Sequence, residues 1–256
     1  MQEVGRELQG GAWHGQLHFG EDWACYLGPI TQQAFHAHVA VQIAVGLDES
    51  VTVQLGPRQA IESGAVLVAP LARHRVAPAA SPVLLLYVDP RGRLGRTMRS
   101  RAVEAVVAVP EFGQALLAAW SSHESLPSED IIMAALSQAF PDAATPPLDC
   151  RVARALTALE EQGGKGIATI GGTHAGLSAG RLRELAQRAL GTSLAHFSLW
   201  RKLEQSLRSV AAGASLAEAA YAGGFADQAH LARTSRRMLG LTLSELAITR
   251  APSTED

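Results

Sequence analysis

Between residues 13 and 88, short apolar runs alternate with turn residues. The runs cover 23–27, 39–45, 51–55, 65–69 and 83–88, and Gly28-Pro29, Gly46, Gly56-Pro57, Ser63-Gly64 and Ser81-Pro82 separate them. Strands so closely spaced leave no room for crossover helices. The pattern therefore predicts an antiparallel jelly-roll barrel rather than βαβ units. Beyond residue 110 the apolar period lengthens to that of a helix. Phe112, Leu116 and Trp120 fall on one stripe. Ser128, Glu129 and Asp130 read as a helix start, with Ile132, Leu136 and Phe140 as its apolar face. These two stripes suit either packing on the barrel or a dimer surface.

The segment 141–147, Pro-Asp-Ala-Ala-Thr-Pro-Pro, is a poor helix and a good linker. After it a repeat appears. Ala175-Gly-Leu-Ser178 recurs as Gly223-Gly-Phe-Ala226, and the stretch 190–197 recurs as 239–246, at offsets of 48 and 49 residues. In the second copy Ser215-Leu-Ala-Glu218 is a capping box, Gly223-Gly224 stops the short helix, Phe225 plugs the turn, and a new helix runs from about Asp227 to Leu239. Helix, glycine turn and helix at this spacing predict a helix-turn-helix unit. The first copy repeats the plan, with Ser178 as cap, Leu182, Leu185, Ala186 and Ala189 buried, and Gly191 as stop. Gly171-Gly172 falls in its first helix, where glycine costs about 1 kcal/mol per residue, so this unit is expected to be the softer of the two. A helix over 193–212, about 30 Å long, joins the copies. That length is close to one turn of DNA, so both second helices can enter successive major grooves. The expected organisation is α+β: a sensor barrel over 1–100, a helical linker over 101–148, and an all-α tandem helix-turn-helix domain over 149–250.

The chain is 47% hydrophobic and 18% charged, which argues against wholesale disorder. No apolar run approaches the roughly 20 residues of a membrane helix, and the start lacks a signal-peptide layout, so a cytoplasmic location without membrane contact is expected. Cys25 and Cys150 fit neither a disulfide scaffold nor a thiolate zinc site. The net charge of −2 conceals a split. Residues 1–149 carry 9 Lys/Arg against 15 Asp/Glu, whereas residues 150–250 carry 13 against 7. A basic half points to a polyanionic partner.

Candidate chemistry lies in Phe35-His36-Ala-His38, where two histidines share a face if the segment is extended, with Gln42 in phase and His74 following a later run. Three imidazoles suit Zn, Fe, Ni or Cu and leave a fourth position for water or an effector. The same residues also suit the rim of a pocket for an organic effector. Arg73 and Arg75 flank His74 and can hold a carboxylate or phosphate, but alternation puts them on the opposite face, so they and His74 cannot serve one pocket.

The His-x-His and later-His spacing resembles the cupin family, whose metal-binding members carry an acidic residue where Gln42 stands. Residues 150–250 resemble the DNA-binding domain of the AraC/XylS transcription regulators. The phrase from Gly223 to Ser244, Gly-Gly-Phe-Ala-Asp-Gln-Ala-His-Leu-Ala-Arg-Thr-Ser-Arg-Arg-Met-Leu-Gly-Leu-Thr-Leu-Ser, carries this second likeness. The resemblance implies a sequence-specific regulator of double-stranded DNA that responds to a small-molecule or metal effector in its barrel and acts with RNA polymerase; a homodimer is expected from the helix pair at 111–140. It places base contacts on Arg183, Glu184, Gln228 and Arg233. Gln can read adenine and Arg guanine, and Glu can accept from cytosine. Arg181 and Arg237 read as phosphate contacts or solvated surface, and His230 as either. The alternatives are a metal-dependent cupin enzyme fused to a DNA-binding domain, resting on His36, His38, Gln42 and His74, and an adaptor whose barrel binds a protein.

Overall fold

The computed structural model describes residues 13–102, 104–120, 126–141, 147–161 and 176–249. Ten strands form two sheets. The strands are β1 (Trp13–Phe19), β2 (Trp23–Ile30), β3 (Val41–Gly46), β4 (Val51–Gly56), β5 (Gln59–Ser63), β6 (Ala65–Val68), β7 (Arg75–Val76), β8 (Ala79–Val88), β9 (Val106–Ala108) and β10 (Leu246–Thr249). The large sheet has the order β10-β1-β2-β8-β3-β6-β9 and the small one β5-β4-β7. Pairing is antiparallel as expected, with one exception: β1 and β10 run parallel, from Trp13 opposite Leu246 to Gln16 opposite Thr249. Two strands thus come from outside the expected barrel segment. One is β9, within 101–148, and the other is β10, which follows the helical region.

Every position of β3 is buried, because both faces of the large sheet are covered. Its alternate residues Val41, Ile43 and Val45, with Leu84 and Leu86 of β8, pack under three helices: α1 (Arg93–Arg101), α2 (Pro110–Ala119) and α3 (Glu129–Ala139). Met98, Phe112, Leu116, Ile132 and Leu136 are the helical half of that layer. The apolar stripes of α2 and α3 are therefore spent on the chain's own sheet, where burial of each large side chain contributes about 1.5–3 kcal/mol. The other face of the sheet, with Ala44, Val66 and Leu85, meets Val51, Val53 and Val76 of the small sheet.

That inner cluster continues without a break into the helical region: α4 (Cys150–Glu161), α5 (Ala179–Leu190), α6 (Leu194–Ala211), α7 (Leu216–Ala222) and α8 (Gln228–Leu239). The caps form where the sequence puts them. Ser178, Ser193 and Ser215 accept from the backbone N–H three residues on, at 3.3 Å each, and Asp227 accepts from His230 N–H at 2.6 Å. Glu218 closes the reciprocal half of the capping box on Ser215 N–H at 2.8 Å. α5 and α8 end at Gly191 and Gly240, whose φ of 73° and 76° are left-handed values that a side chain disfavours. Phe225 is buried in the turn between α7 and α8, and Ser206 of α6 donates to Ala219 O at 2.8 Å to lock α7 in place. α6 has 18 residues, about 27 Å of helix. Gly171-Gly172 lies outside the described residues.

Candidate DNA-recognition face and buried histidine cluster

The two helices that follow the turns, α5 and α8, expose the residues expected to meet DNA. On α8, Gln228 and Arg233 are exposed, and His230 sits edge-on against Phe225 with ring centroids 5.2 Å apart. Arg237 is exposed as well, whereas Arg236 is paired with Glu245 at 3.0 Å. On α5, Arg183 is exposed, and an added Cβ on Gly180 would meet nothing. Glu184 is different. It accepts from Arg181 at 2.5 Å and also pairs with Arg188, and these arginines, Arg181 foremost, lower its pKa. α5 therefore presents two arginines tied to one carboxylate, where α8 presents exposed Gln228 and Arg233.

The four other predicted site residues converge inside the molecule. His36, His38, Gln42 and His74 are 3%, 1%, 0% and 0% exposed, and one ring nitrogen from each histidine lies within 4.8 Å of the others. The segment holding His36 is extended but not a regular strand. It forms one isolated bridge with His74, each backbone N–H donating to the other's carbonyl at 2.9 Å. Alternation around 74 works as the sequence implied. His74 points inward, while Arg73 and Arg75 stack over the Phe35 ring at 4.9 and 4.7 Å, and Arg75 donates to Gln54 Oε1 at 2.6 Å.

Each imidazole Nδ1 faces a backbone carbonyl: His36 to Ala34 O at 3.1 Å, His38 to Ala40 O at 3.0 Å, His74 to Ala72 O at 2.9 Å. A carbonyl only accepts, so all three Nδ1 atoms carry the proton and all three Nε2 atoms present lone pairs. Burial keeps the rings neutral. It lowers the pKa of all three, His36 to about 3, with the neighbouring histidines adding to the effect at His36 and His74. Gln42 Oε1 lies 2.6 Å from His38 Nε2 and 3.1 Å from His74 Nε2, acceptor against acceptor, while Gln42 Nε2 is buried without a hydrogen bond. Two changes relieve this: a cation shared by the converging lone pairs, or an amide rotation that turns the NH2 onto both rings. The donor set of neutral imidazoles plus an amide oxygen fits a divalent first-row ion, with backbone carbonyls orienting the rings as outer partners.

The strand-rich and helical parts meet around this cluster. Trp200 of α6 lies over His38 and Tyr87, with centroids 5.6 and 6.3 Å away. Ala34 N–H donates to Gly240 O at 2.9 Å, and Ala37 N–H donates to Arg237 O at 3.4 Å. Arg99 of α1 donates to the carbonyls of Arg188 and Ala189 at 2.9 Å each, a cation at the negative end of α5. Arg208 stacks on Phe19 at 4.5 Å and donates to Gly20 O at 2.9 Å. Sequence reading missed Arg99, Trp200 and Arg208. Only Trp200, an aromatic within the joining helix, carried any signal.

A family model described as a helix-turn-helix domain matches residues 172–247. This stretch, which holds α5 to α8, is a helix-turn-helix domain. The whole described chain has the fold of ToxT from Vibrio cholerae. A substituted apo ToxT superposes with a TM-score of 0.60 at 11% identity, over 88% of this chain and 97% of that one. Wild-type ToxT bound to an unsaturated fatty acid gives 0.55 at 11%, over 87% and 94%. ToxT bound to (E)-4-(8-methylnaphthalen-1-yl)but-3-enoic acid gives 0.56 at 9%, over 88% and 98%. The strand-rich region followed by the helix-turn-helix domain is thus the two-part ToxT architecture. No curated protein matches the sequence. Among the described residues no helix is long and apolar enough to cross a membrane.

Proposed function

We propose that the chain is a sequence-specific DNA-binding transcription regulator whose strand-rich half senses a small effector, and that this effector is a divalent transition-metal ion held by His36, His38, His74 and Gln42 Oε1. The observation that carries the DNA-binding reading is the pair of capped, exposed recognition helices, α5 and α8, separated by about 27 Å of α6. Arg183, Gln228 and Arg233 face base edges and Arg237 neutralises phosphate; His230 supports the turn, and Glu184 withholds Arg181 and Arg188, which would otherwise meet phosphates. Contact with RNA polymerase extends this reading by resemblance, and a homodimer on two half-sites would have to form through a surface other than the apolar stripes of α2 and α3.

The convergence of three buried imidazoles, each with Nδ1 on a backbone carbonyl and ring nitrogens within 4.8 Å of one another, carries the metal reading. Burial of all four ligands, with Trp200 over His38, favours sensing over turnover. The ToxT ligands suggest an organic acid instead, but the apolar crevice here between Leu17, Tyr26, Tyr87, Trp200 and Leu241 holds about 60 Å3. That is room for about two waters. A larger cavity of about 580 Å3 lies on the other side of the large sheet, lined by Asp22, Trp23, Arg93, Glu129 and Met133, and offers an organic effector more room.

Tag-free protein analysed for metal, beside His36→Ala/His38→Ala, tests the sensor reading. One equivalent of metal in the parent and none in the variant is expected, and a metal-free parent that also refuses added Zn, Fe, Ni and Cu overturns it. Selection from a random duplex library tests the DNA reading, and failure to enrich any sequence with either metal-loaded or stripped protein overturns that.

A further inference from the structure

The three histidines come from two different loops, and each loop holds the end of a different recognition helix. His36 and His38 lie on the loop 33–38. Its Ala34 bonds Gly240, the stop residue of α8, and the approach is so close that a Cβ on Gly240 would fall 2.4 Å from Ala34 O and 2.8 Å from His36 Nδ1. His74 lies on the loop 69–74. A Cβ on Gly191, the stop residue of α5, would lie 3.5 Å from Pro70 Cβ in that loop and 3.3 Å from Arg99 Cδ. Between the two loops, Leu71 N–H donates to His38 O at 2.7 Å. Leu71 is also the one non-glycine among the described residues with positive φ, 62°, a conformation L-residues avoid.

We infer that a divalent cation in the histidine cluster draws the loops 33–38 and 69–74 together and so sets the carboxyl ends of α8 and α5 relative to each other. The inference rests on the metal reading above and names how that site would act on DNA binding. Ring nitrogens around a tetrahedral ion at 2.0–2.1 Å stand about 3.3 Å apart. The cluster spans up to 4.8 Å, so binding closes its widest pair by up to about 1.5 Å. Both paths from the rings to the helices are short, the first ending in a hydrogen bond to α8 and the second in van der Waals contact of Pro70 with the Gly191 end of α5. The His36 ring bonds Ala34 O while Ala34 N–H bonds Gly240 O; the His74 ring bonds Ala72 O, and Ala72 N–H bonds Ala69 O at 3.1 Å, bracketing Pro70. Displacements of this size move packed elements between discrete arrangements rather than dissipating in them. Both recognition helices would shift at their held ends while their N-terminal ends, which enter the grooves, change spacing.

Hydrogen exchange on the full chain, stripped by EDTA and then loaded with Zn2+, tests this. The expected result is one bound zinc and at least fivefold slower exchange not only at 34–40 and 70–76 but also at the remote ends, 186–192 and 236–242. In Pro70→Gly, which removes the side chain that meets Gly191 and touches no ligand, zinc content and the protection at 236–242 persist while the zinc-dependent protection at 186–192 falls away. Stoichiometric zinc with unchanged exchange at both helix ends overturns the coupling and leaves the metal site standing. Failure to bind zinc at all overturns the metal reading and the coupling with it.

Discussion

Replacing Glu184 by Gln removes the one carboxylate that holds both Arg181 and Arg188 on α5 while keeping side-chain size and helix propensity. The three side chains are 45%, 46% and 64% exposed, so releasing the arginines leaves them in solvent, available to DNA, with no packing lost. Each phosphate newly neutralised on duplex DNA steepens the dependence of log K on log salt by about 0.9, so the two together add up to about 1.8. With that slope, each doubling of salt weakens the variant about 3.5-fold more than the parent, and at low salt the variant binds more tightly. Fluorescence anisotropy with a labelled random-sequence duplex, titrated across KCl concentrations, reads both quantities without knowledge of the operator. A steeper slope with tighter low-salt binding is expected. An unchanged slope with weaker binding would mean that Glu184 orients its arginines toward phosphate rather than withholding them, and the reasoning would fail.

The second helix-turn-helix unit, with its reciprocal cap and unpaired Gln228, should anchor the complex: Gln228→Ala should weaken binding to the selected operator more than Arg183→Ala does, and the reverse order in a gel-shift series would contradict this. At Gly223 a Cβ would fall 2.1 Å from Ser206 Oγ and 2.6 Å from Lys202 O, so Gly223→Ala should destabilise the domain by about 1–3 kcal/mol; a urea midpoint equal to that of the parent would disprove the close packing of α6 on α7. Phe112→Ala, in a side chain with no exposed surface, should cost about 3–5 kcal/mol. It should do so without altering the mass seen by light scattering, because the stripe of α2 packs on its own sheet; a change of oligomeric state with little loss of stability would mean that the stripe serves a second copy instead.

Five of the strands, β2, β3, β4, β6 and β8, were legible with the caps and the two turns because each rests on local chemistry, whereas β1, β5, β7 and β10 were not read as strands. Ser215 with Glu218, Asp227 before α8, and glycine at 191 and 240 each announce a helix end within four residues of sequence. The histidine convergence was legible in part. Alternation separates His74 from Arg73 and Arg75 and pairs His36 with His38, but the chain bends at 39–40 before Gln42, and only the fold brings the two loops together. The grip on the recognition helices left no trace. Arg99 meets Arg188 O across 89 positions, and Ala34 meets Gly240 through backbone atoms that every residue carries. Gly240 read as a stop signal, yet it also makes room for a neighbouring loop, and one glycine cannot announce two reasons. β9, three residues long, is too short for any periodicity to show.

The parallel pairing of β10 with β1 has a consequence for the order in which the protein can be made. A parallel partner for Trp13–Gln16 is supplied only by Leu246–Thr249, so the earliest strand described waits for a segment synthesised more than 200 residues later. Until then the β1 edge has unpaired N–H and C=O groups, the situation in which strands of separate chains zip together. The sensor half therefore completes only after the helix-turn-helix half has left the ribosome, and a nascent chain stalled between them is the form most exposed to aggregation.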